Sequence, residues 1–426
     1  MMKFTFTLAL FLSAQFAVNA QQVFELSAQV ISRPEMRRGY LTLPPPNANA
    51  AFFVSQRSRL NAAFSNEKIK LGLSIQDVRV WGEEPQSADV ASFGLHEGWA
   101  EVGLGKNTAF KFGRQELVYD DQRLFGNNDW LGQGRSHDAA ILKMKIGKNA
   151  VHLGAAFNQT KESLFGKSDP VDNYQGLGWL WYNRKFNQEK FELSFYAVSD
   201  GFAADGTLKS NKTFFRGTTG PLMHYTSGKM MANATLFGQF GKDAFDKTIT
   251  AFFASASLDY TVSKKFCTSL GYEYISGNDP VRTKSNETHQ FNTLYGTNHK
   301  FYGYMDYFLN VPKDTKGGGL QNVFVKFKYS PSMRTDLAMN AHYFLLANKV
   351  RSASNSLVDL SLGTELDLTA THQVNAYAKA QCGFSVMLGQ DALETLNKVP
   401  GGLASETGIW GYFMLIVNPS LFKLEK

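Results

Sequence analysis

The 426-residue sequence carries a formal net charge of +7, a mildly basic balance that identifies no class of partner by itself. Its mean hydropathy is −0.25 and no long apolar run follows residue 20, which excludes a membrane protein built from helices. The two cysteines, Cys267 and Cys382, lie in separate predicted strands and exclude a disulfide framework.

The first predicted element is a secretory signal peptide over residues 1–20. It has a cationic Lys3, an apolar run Leu8–Leu12 and a small-residue cleavage site that ends at Ala20. The apolar run is well short of the roughly 20 residues that a membrane-spanning helix needs, which argues against an N-terminal membrane anchor. We therefore expect residues 21–426 to form the mature chain, as a single domain.

From residue 24 onward the sequence consists of segments in which apolar and polar residues alternate. In Lys68–Ile75, for example, Ile69, Leu71 and Leu73 are apolar, whereas Lys70 is charged. A period of two places one set of side chains on each face of a β-strand. We count eighteen such segments, within a range of 16–20. They lie near residues 24–33, 51–64, 68–81, 93–104, 108–117, 136–146, 149–159, 176–186, 190–199, 212–226, 229–240, 247–261, 266–276, 319–329, 334–347, 357–369, 373–387 and 405–418.

The breaks between these segments are alternately short and long. The short breaks are predicted at Ser65–Glu67, Gly105–Asn107, Gly147–Asn149, Asn187–Glu189, Ser227–Lys229, Val262–Lys264, Pro331–Met333 and Ala370–His372. The longest break is Gly277–Gly318. Short periplasmic turns and long extracellular loops are typical of antiparallel barrels in the outer membrane of Gram-negative bacteria. The sequence therefore predicts an all-β transmembrane barrel, and the even strand count places both termini in the periplasm.

The alternation also predicts which face of each strand meets lipid. A Lys or Arg side chain at the bilayer midplane costs roughly 2–4 kcal/mol, so the charged rows are expected to face the lumen. The apolar members of Ile69–Ile75 and Leu360–Leu368 are then expected to face outward. Asp77 interrupts the alternation, which predicts a bulge at Gln76-Asp77. A soluble barrel would reverse the faces, but the signal peptide and the sorting of loops favour the membrane.

Aromatic residues near segment ends are compatible with girdles at the two membrane interfaces, although core aromatics are an alternative for any one of them. These residues are Trp81, Trp99, Trp179, Trp181, Trp410 and Tyr412.

One block of the sequence resembles the alginate export family of outer-membrane barrels. It comprises Phe112–Leu117, Asp120–Gly126, Asp129-Trp130 and Gly134–Ala139. Supporting stretches are Gln76–Gly82, Leu294–Phe301 and Met305–Phe308, so the resemblance spans nearly the whole mature chain. It implies an 18-stranded monomeric pore that passes an anionic uronate polysaccharide through an arginine-rich constriction. His137 stands where that family more usually has an aromatic residue.

The same block has a direct chemical interpretation, because its arginines alternate with aspartates between two predicted strands. The planar fork of arginine suits carboxylates, either on a substrate or on neighbouring aspartates. These residues therefore either contact the substrate or hold a loop folded into the lumen, and the two roles can coexist. We expect Gln115–Asp138 to dip toward the lumen. The predicted pore-lining residues are Arg57, Arg59, Asp77, Arg79, Arg114, Asp120, Arg123, Asp129, Arg135 and Asp138. A second, acidic set expected to point inward is Glu97, Glu101, Glu273, Glu365 and Asp367.

Catalytic interpretations have little support in the sequence. The eight histidines are scattered without a metal-ligand spacing. Ser136-His137-Asp138 is contiguous, whereas the members of a catalytic triad meet through the fold. We therefore expect no enzyme activity, no cofactor and no metal, with a membrane-embedded hydrolase as a minor alternative.

The leading hypothesis is a passive outer-membrane pore for a polar or anionic carbohydrate, such as an alginate-like polysaccharide or oligosaccharide. The alternative is a structural or docking barrel, plugged by its own loops, that serves a cell-surface complex. We expect a monomer that is surrounded by outer-membrane lipid and lipopolysaccharide, is inserted by the barrel-assembly machinery and binds no nucleic acid. Single-channel conductance separates the two hypotheses.

Overall fold

The computed structural model describes residues 22–87, 90–165, 174–206, 212–397 and 407–426, so the predicted signal peptide lies outside the described residues. The strands are Val23–Arg38 (β1), Ala51–Ser65 (β2), Ile69–Val80 (β3), Gly94–Gly105 (β4), Thr108–Gln115 (β5), His137–Ile146 (β6), Asn149–Phe157 (β7), Gly176–Phe186 (β8), Phe191–Ala203 (β9), Thr213–Ser227 (β10), Met230–Lys242 (β11), Thr248–Ser263 (β12), Phe266–Ile275 (β13), Glu287–Thr288 (β14), Leu320–Ser332 (β15), Thr335–Leu346 (β16), Ser361–Gln373 (β17), Ala378–Gly389 (β18), Gly408–Val417 (β19) and Ser420–Glu425 (β20). The helices are Val311–Asp314 (α1) and Asp391–Asn397 (α2), with a 3₁₀ turn at Asn298–Lys300.

These strands form a closed antiparallel barrel of eighteen strands, which confirms the predicted fold class. β1–β13 and β15–β19 are the barrel strands, whereas β14 is a two-residue parallel bridge to β12. β1 closes the barrel by pairing with β19 at its upper end and with β20 at its lower end, so β20 continues β19. Asn418-Pro419 separates the two, as expected where a proline cannot donate to the ladder. No helix among the described residues is long and apolar enough to cross a membrane.

The alternation of exposure along the strands confirms the main face assignment. Ile69, Leu71 and Leu73 are 40–49% exposed on the outer wall. Lys70, between them, points inward and pairs with Glu101 across β3 and β4, with 3.0 Å between Nζ and Oε1. The apolar row therefore meets lipid, and the polar row faces the lumen.

The observed turns agree with seven of the eight predictions to within two residues. The prediction at Ala370–His372 is wrong, because β17 runs on to Gln373 and the chain turns at residues 374–377. Asn375 makes this turn, since its Oδ1 accepts the backbone N–H groups of Tyr377 and Ala378, each at 2.9 Å. Such a side-chain-to-backbone turn is a frequent use of Asn.

The predicted bulge at Gln76-Asp77 is also wrong. Pairing of β2 with β3 is continuous through Asp77. The irregularity lies one strand away, where Ser74 pairs with Glu97 and Ile75 with Leu95, leaving His96 as the extra residue on β4.

A second bulge changes the face of one predicted lipid-facing residue. Phe344 pairs with Gly363 and Leu345 with Ser361, so Leu362 is the extra residue on β17. Gly363 has a φ of 134°, which only glycine adopts readily. Leu362 is fully buried instead of facing outward as predicted, whereas Leu366 and Leu368 are 36% and 49% exposed on the outer wall.

Most of the aromatic residues considered for the girdles lie inside the barrel. Trp179, Trp410 and Tyr412 are buried, and Trp181 and Trp99 share the inward-facing parity of the polar residues on their strands. Trp81 is the one member of the set on the outer wall, at 59% exposure. The alternative interpretation, core aromatics, therefore holds for the other five.

Candidate functional site

Two long loops fold into the barrel and contact each other. They are named here L3, residues 116–136 between β5 and β6, and L7, residues 276–319 between β13 and β15. The Tyr295 N–H donates to the Leu124 carbonyl at 3.0 Å, and Gly126 N–H donates to the Tyr295 carbonyl at 2.9 Å. A third bond runs from Thr297 N–H to the Gln122 carbonyl, also at 3.0 Å. An isolated parallel bridge between Phe125 and Tyr295, together with the third bond, joins the two loops inside the barrel.

The paired loops bury an apolar core against the inner wall. Phe125 of L3 and Met305 and Phe308 of L7 are at most 1% exposed. Phe308 contacts Phe344 of β16, with 4.7 Å between the ring centroids. L7 is also fixed by its backbone, since Met305 N–H donates to Glu365 Oε1 of β17 at 2.7 Å. The loops are therefore packed in the lumen as parts of the fold.

A column of stacked groups connects β1, L3 and L7. The Arg33 guanidinium lies 4.3 Å from the centroid of the Trp130 ring. On its other side Trp130 stacks on His299 at 4.4 Å with an interplanar angle of 9°, and His299 stacks on Tyr304 at 5.2 Å. His299 Nδ1 lies 2.7 Å from Asp306 Oδ1, which fixes the imidazole orientation.

Arg123 of L3 contacts both L7 and the barrel wall. It forms an ion pair with Glu273 of β13, lies 3.4 Å from Asp121, and stacks on Phe301 at 3.5 Å from the ring centroid. Asn322 donates to the second carboxylate oxygen of Glu273 at 2.9 Å. This arginine therefore ties L3 to L7 and to the wall at once.

Arg57 and Arg59 of β2 both face L3. Arg57 donates to Asp129 Oδ1 at 2.6 Å and to Gln29 Oε1 at 2.5 Å. Arg59 donates to Gln76 Oε1 at 2.7 Å and lies 3.8 Å from Asp129. One partly exposed aspartate is thus the nearest carboxylate to both arginines, and Glu116 and Glu97 lie farther from Arg59.

Asp120 and Arg135 fix the two ends of L3. The Asp120 carboxylate accepts hydrogen bonds from Trp181 Nε1 at 2.9 Å, Ser194 Oγ at 2.7 Å and the Tyr196 hydroxyl. Arg135 donates to the carbonyl oxygens of Tyr295 and Gly296 in L7. Both residues face the interior, and their polar atoms are engaged by the protein.

Burial also changes the titration of groups on these loops. The pKa of Tyr119 in L3 is raised to about 12 by burial. Its hydroxyl therefore stays neutral and accepts a hydrogen bond from Trp179 Nε1 at 3.2 Å. In L7, burial holds the pKa of Lys300 below its ordinary value.

Four of the ten predicted residues lie outside the lumen. Gln76 and Val78 of β3 contact L3, so the alternating Asp77 and Arg79 face the outer wall, where Arg79 Nε donates to Asp77 at 2.6 Å. Arg114 and Asp138 pair with each other at 3.1 Å and are 40% and 59% exposed on the outer wall.

These four residues lie near the strand ends distant from the short turns. Charge there does not meet the apolar midplane, which explains why the strands tolerate it. Their placement corrects the prediction that they line the pore. The other six predicted residues, Arg57, Arg59, Asp120, Arg123, Asp129 and Arg135, lie together around L3. All five members of the predicted acidic set lie on the inward-facing side of their strands.

Three charged residues of β1 were missed by the sequence analysis. Glu35 is buried and pairs with both Arg33 and Arg37, at 2.8 Å each. Trp410 Nε1 also donates to Glu35, at 3.0 Å. The strand was predicted to end at residue 33. The sequence nevertheless contains a pattern that extends it, because Arg33, Glu35 and Arg37 continue the period-two alternation.

A cavity of about 240 Å³ lies between the tip of L3 and the seam of β1, β2, β18 and β19. Its polar lining includes Arg33, Arg57, Asp129, Lys379 and Gln381. The Nε of Arg57 is buried and has no hydrogen-bond partner among the described residues. Glu35 pairs with Arg33 and Asp129 with Arg57, whereas Lys379 forms no ion pair with a described residue, so the lining keeps a net positive charge that suits an anionic group. Within the described part of the chain, no group of three or more His, Cys, Asp or Glu side chains is arranged to hold a metal ion.

Comparison with known proteins supports this architecture. The model of the family described as alginate export matches residues 49–395. Acinetobacter baumannii OccAB1 has a similar structure, with a TM-score of 0.64 at 14% identity, over 94% of this chain and 97% of that one. Pseudomonas aeruginosa OpdL has a TM-score of 0.62 at 11% identity, over 94% and 99% of the two chains. Pseudomonas aeruginosa OccK2 (OpdF), solved in complex with glucuronate, has a TM-score of 0.58 at 13% identity, over 94% and 98%. No curated protein matches the sequence.

Proposed function

Since the chain belongs to the alginate export family and forms an outer-membrane pore, we propose that it passes carboxylated carbohydrate, as oligosaccharide or polysaccharide, passively across the outer membrane. The observation that carries the proposal is the cavity beside the tip of L3. Among the described residues its lining holds Arg33, Arg57 and Lys379 against one acidic residue, Asp129, while Glu35 pairs with Arg33 from outside the lining.

The chemistry of this cavity suits a sugar that carries a carboxylate. Guanidinium groups bind carboxylates through paired N–H donors, and Gln381 adds an amide that can bond hydroxyl groups. Ile31, Met414 and Ile416 supply apolar wall for a ring face. The glucuronate complex of the OccK2 barrel is a parallel case in a similar fold. Catalysis forms no part of the proposal.

A swelling assay on liposomes containing the purified barrel tests the proposal. We expect faster entry of glucuronate than of glucose, because the two sugars are close in size and differ mainly in the carboxylate. Liposomes without the barrel give the baseline. Equal entry of the two sugars, at a rate above that baseline, would contradict the preference for carboxylated carbohydrate.

The packing of L3 and L7 supports a second candidate function, a plugged barrel that serves a cell-surface complex. Phe125, Met305 and Phe308 form a core inside the lumen that an open channel does not need. Under this alternative, the purified barrel carries no measurable current in a planar bilayer and co-purifies with partner proteins. Stable single-channel conductance from the purified barrel alone would favour the pore.

A further inference from the structure

We infer that the short-turn end of β3–β7 is a capture site for a linear polyanion, which enters the lumen from the periplasm. The inference rests on the proposed function, because it identifies where a carboxylated polymer first binds. Two observations carry it: the distribution of charge among the short turns, and a lysine-lined cavity that leads inward from two of them.

The excess positive charge of the chain is concentrated at the short turns. The basic residues of these connections are Lys68, Lys106, Lys148, Lys190, Lys229, Lys264, Lys265 and Arg334, all of them exposed. The acidic residues there are Glu67 and Glu189. The net charge of these turns is therefore +6, compared with +7 for the whole sequence. None of the eight cations forms an ion pair with any described residue.

A cavity of about 380 Å³ continues from this rim into the lumen. Lys68 and Lys106 line its outer edge, and Lys70, Lys143 and Lys145 line its inner part. At roughly 30 Å³ for each water molecule, the volume corresponds to about a dozen waters, enough to admit part of a hydrated polymer.

Of the described residues that line this cavity, two are acidic, Glu67 and Glu101. Glu101 holds Lys70 at 3.0 Å and Lys143 at 2.6 Å, so one carboxylate is shared by two ammonium groups. Further inward, Lys111 Nζ lies 3.8 Å from the centroid of the Trp99 ring, on the adjoining strands β5 and β4. Positive charge therefore continues from the rim along the inner wall.

The outer wall beside these turns favours a ligand from the periplasm over a lipid headgroup. Ile69, Leu104 and Ile146 are 40–61% exposed there, so the row that meets lipid is apolar. The lysines lie at the turn tips and on the inward-facing row. Neighbouring turns are two strands, or roughly 10 Å, apart, close to the Debye length of about 8 Å, so their fields overlap over the mouth.

The test uses oligogalacturonate as the polyanion and the ionic current through single barrels in a planar bilayer as the readout. Streptavidin binding to a biotin tag at the C-terminus gives the orientation of each barrel. The cavity variant carries Lys68→Gln, Lys106→Gln and Lys145→Gln. The control variant carries Lys190→Gln, Lys264→Gln and Lys265→Gln, which removes the same charge from the same end but outside the cavity.

We expect oligogalacturonate to block the parent at lower concentration from the short-turn side than from the loop side. The cavity variant should weaken this block about tenfold, and the control variant by no more than about threefold, because contacts in the cavity are lost only in the first. Equal block from both sides, or equal effects of the two variants, would overturn the inference. A barrel that conducts no current contradicts the proposed function and this inference together.

Discussion

At the scale of single residues, the partners of each arginine decide its effect on the pore. Arg59 donates to the neutral amide of Gln76, and its nearest carboxylate oxygen, on Asp129, is 3.8 Å away. Arg79 forms a close ion pair with Asp77 on the outer wall. Two arginines on neighbouring strands thus differ both in the face they occupy and in how completely they are neutralised.

We predict that Arg59→Ala lowers the anion preference of the pore and that Arg79→Ala leaves it unchanged. Fixed charge acts over about 8–10 Å at physiological salt, so only the arginine inside the lumen affects permeating ions. The measurement is the reversal potential across a KCl gradient. Equal shifts in the two variants, or a cation-selective parent, would show that these arginines do not set selectivity.

We also predict that Arg123→Ala strongly destabilises the folded barrel. Glu273 is 1% exposed and would lose its cation, and breaking a buried pair in this way costs about 3–5 kcal/mol. Arg123→Lys should cost less, because it retains the charge. The loss of folded protein with increasing guanidinium chloride measures both variants. Similar midpoints for the parent and for Arg123→Ala would exclude a structural role for this pair.

At the scale of elements, the contact between L3 and L7 depends on a glycine. A Cβ at Gly296 would overlap the carbonyl oxygen of Arg123, which is backbone and cannot move aside easily. Gly105, the last residue of β4, has open space at the same position. The close approach of the two loops therefore requires a residue without a side chain at position 296.

We predict that Gly296→Ala separates L3 from L7 and raises the single-channel conductance, whereas Gly105→Ala has no effect. Limited proteolysis should cut L7 faster in the first variant, because its backbone bonds to L3 are weakened. Unchanged conductance together with faster proteolysis would mean that the two loops do not limit the flow of ions.

The strands allow a matched test of the two faces. We predict that Leu71→Arg impairs assembly, because it places a cation on the lipid-facing row at a cost of roughly 2–4 kcal/mol. Lys70→Ala, one residue away on the inward-facing row, should be tolerated, since Lys143 still pairs with Glu101. The folded fraction can be measured from the difference in electrophoretic mobility between heated and unheated samples. Equal tolerance would mean that the face assignment is wrong.

The eighteen strands and most turns could be predicted from sequence, because period-two alternation and turn residues are local signals. The inward fold of L3 was predicted from its alternating charges. Six of the ten predicted site residues lie in L3 or beside it. The outward face of Arg79 was not predicted, because it depends on whether β3 pairs with β2 without a bulge. The stack of Trp130 on His299 left no local signal, since these residues are far apart in the chain and meet only when the barrel closes.

At the scale of the whole molecule, the barrel depends on one composite seam. β19 supplies seven pairs to β1, over Val30–Arg38, and β20 supplies five more, over Val23–Ser27. Among the described residues, the lower part of β1 therefore has no partner on that side except β20.

We predict that deletion of residues 420–426 lowers the yield of folded barrel, because it exposes the lower edge of β1. Lys423→Ala, which removes an exposed ion pair with Glu425 but keeps the strand, should fold normally. The difference in electrophoretic mobility between heated and unheated membrane fractions measures the folded yield of both variants. A normal yield from the deletion would show that β19 alone is sufficient for closure.

The contact between L3 and L7 joins residues that are far apart in the sequence. The hydrogen bond from Thr297 to the Gln122 side chain spans 175 residues of sequence, and the seam pairs Phe24 with Leu424 at opposite ends of the chain. Contacts between such distant residues form late, because the intervening chain must first be ordered. The contact between the two loops is therefore expected to form after β6–β13, which lie between them in the chain, have been ordered. Until that contact forms, Phe125, Met305 and Phe308 are expected to stay exposed, and exposed apolar residues are prone to aggregate.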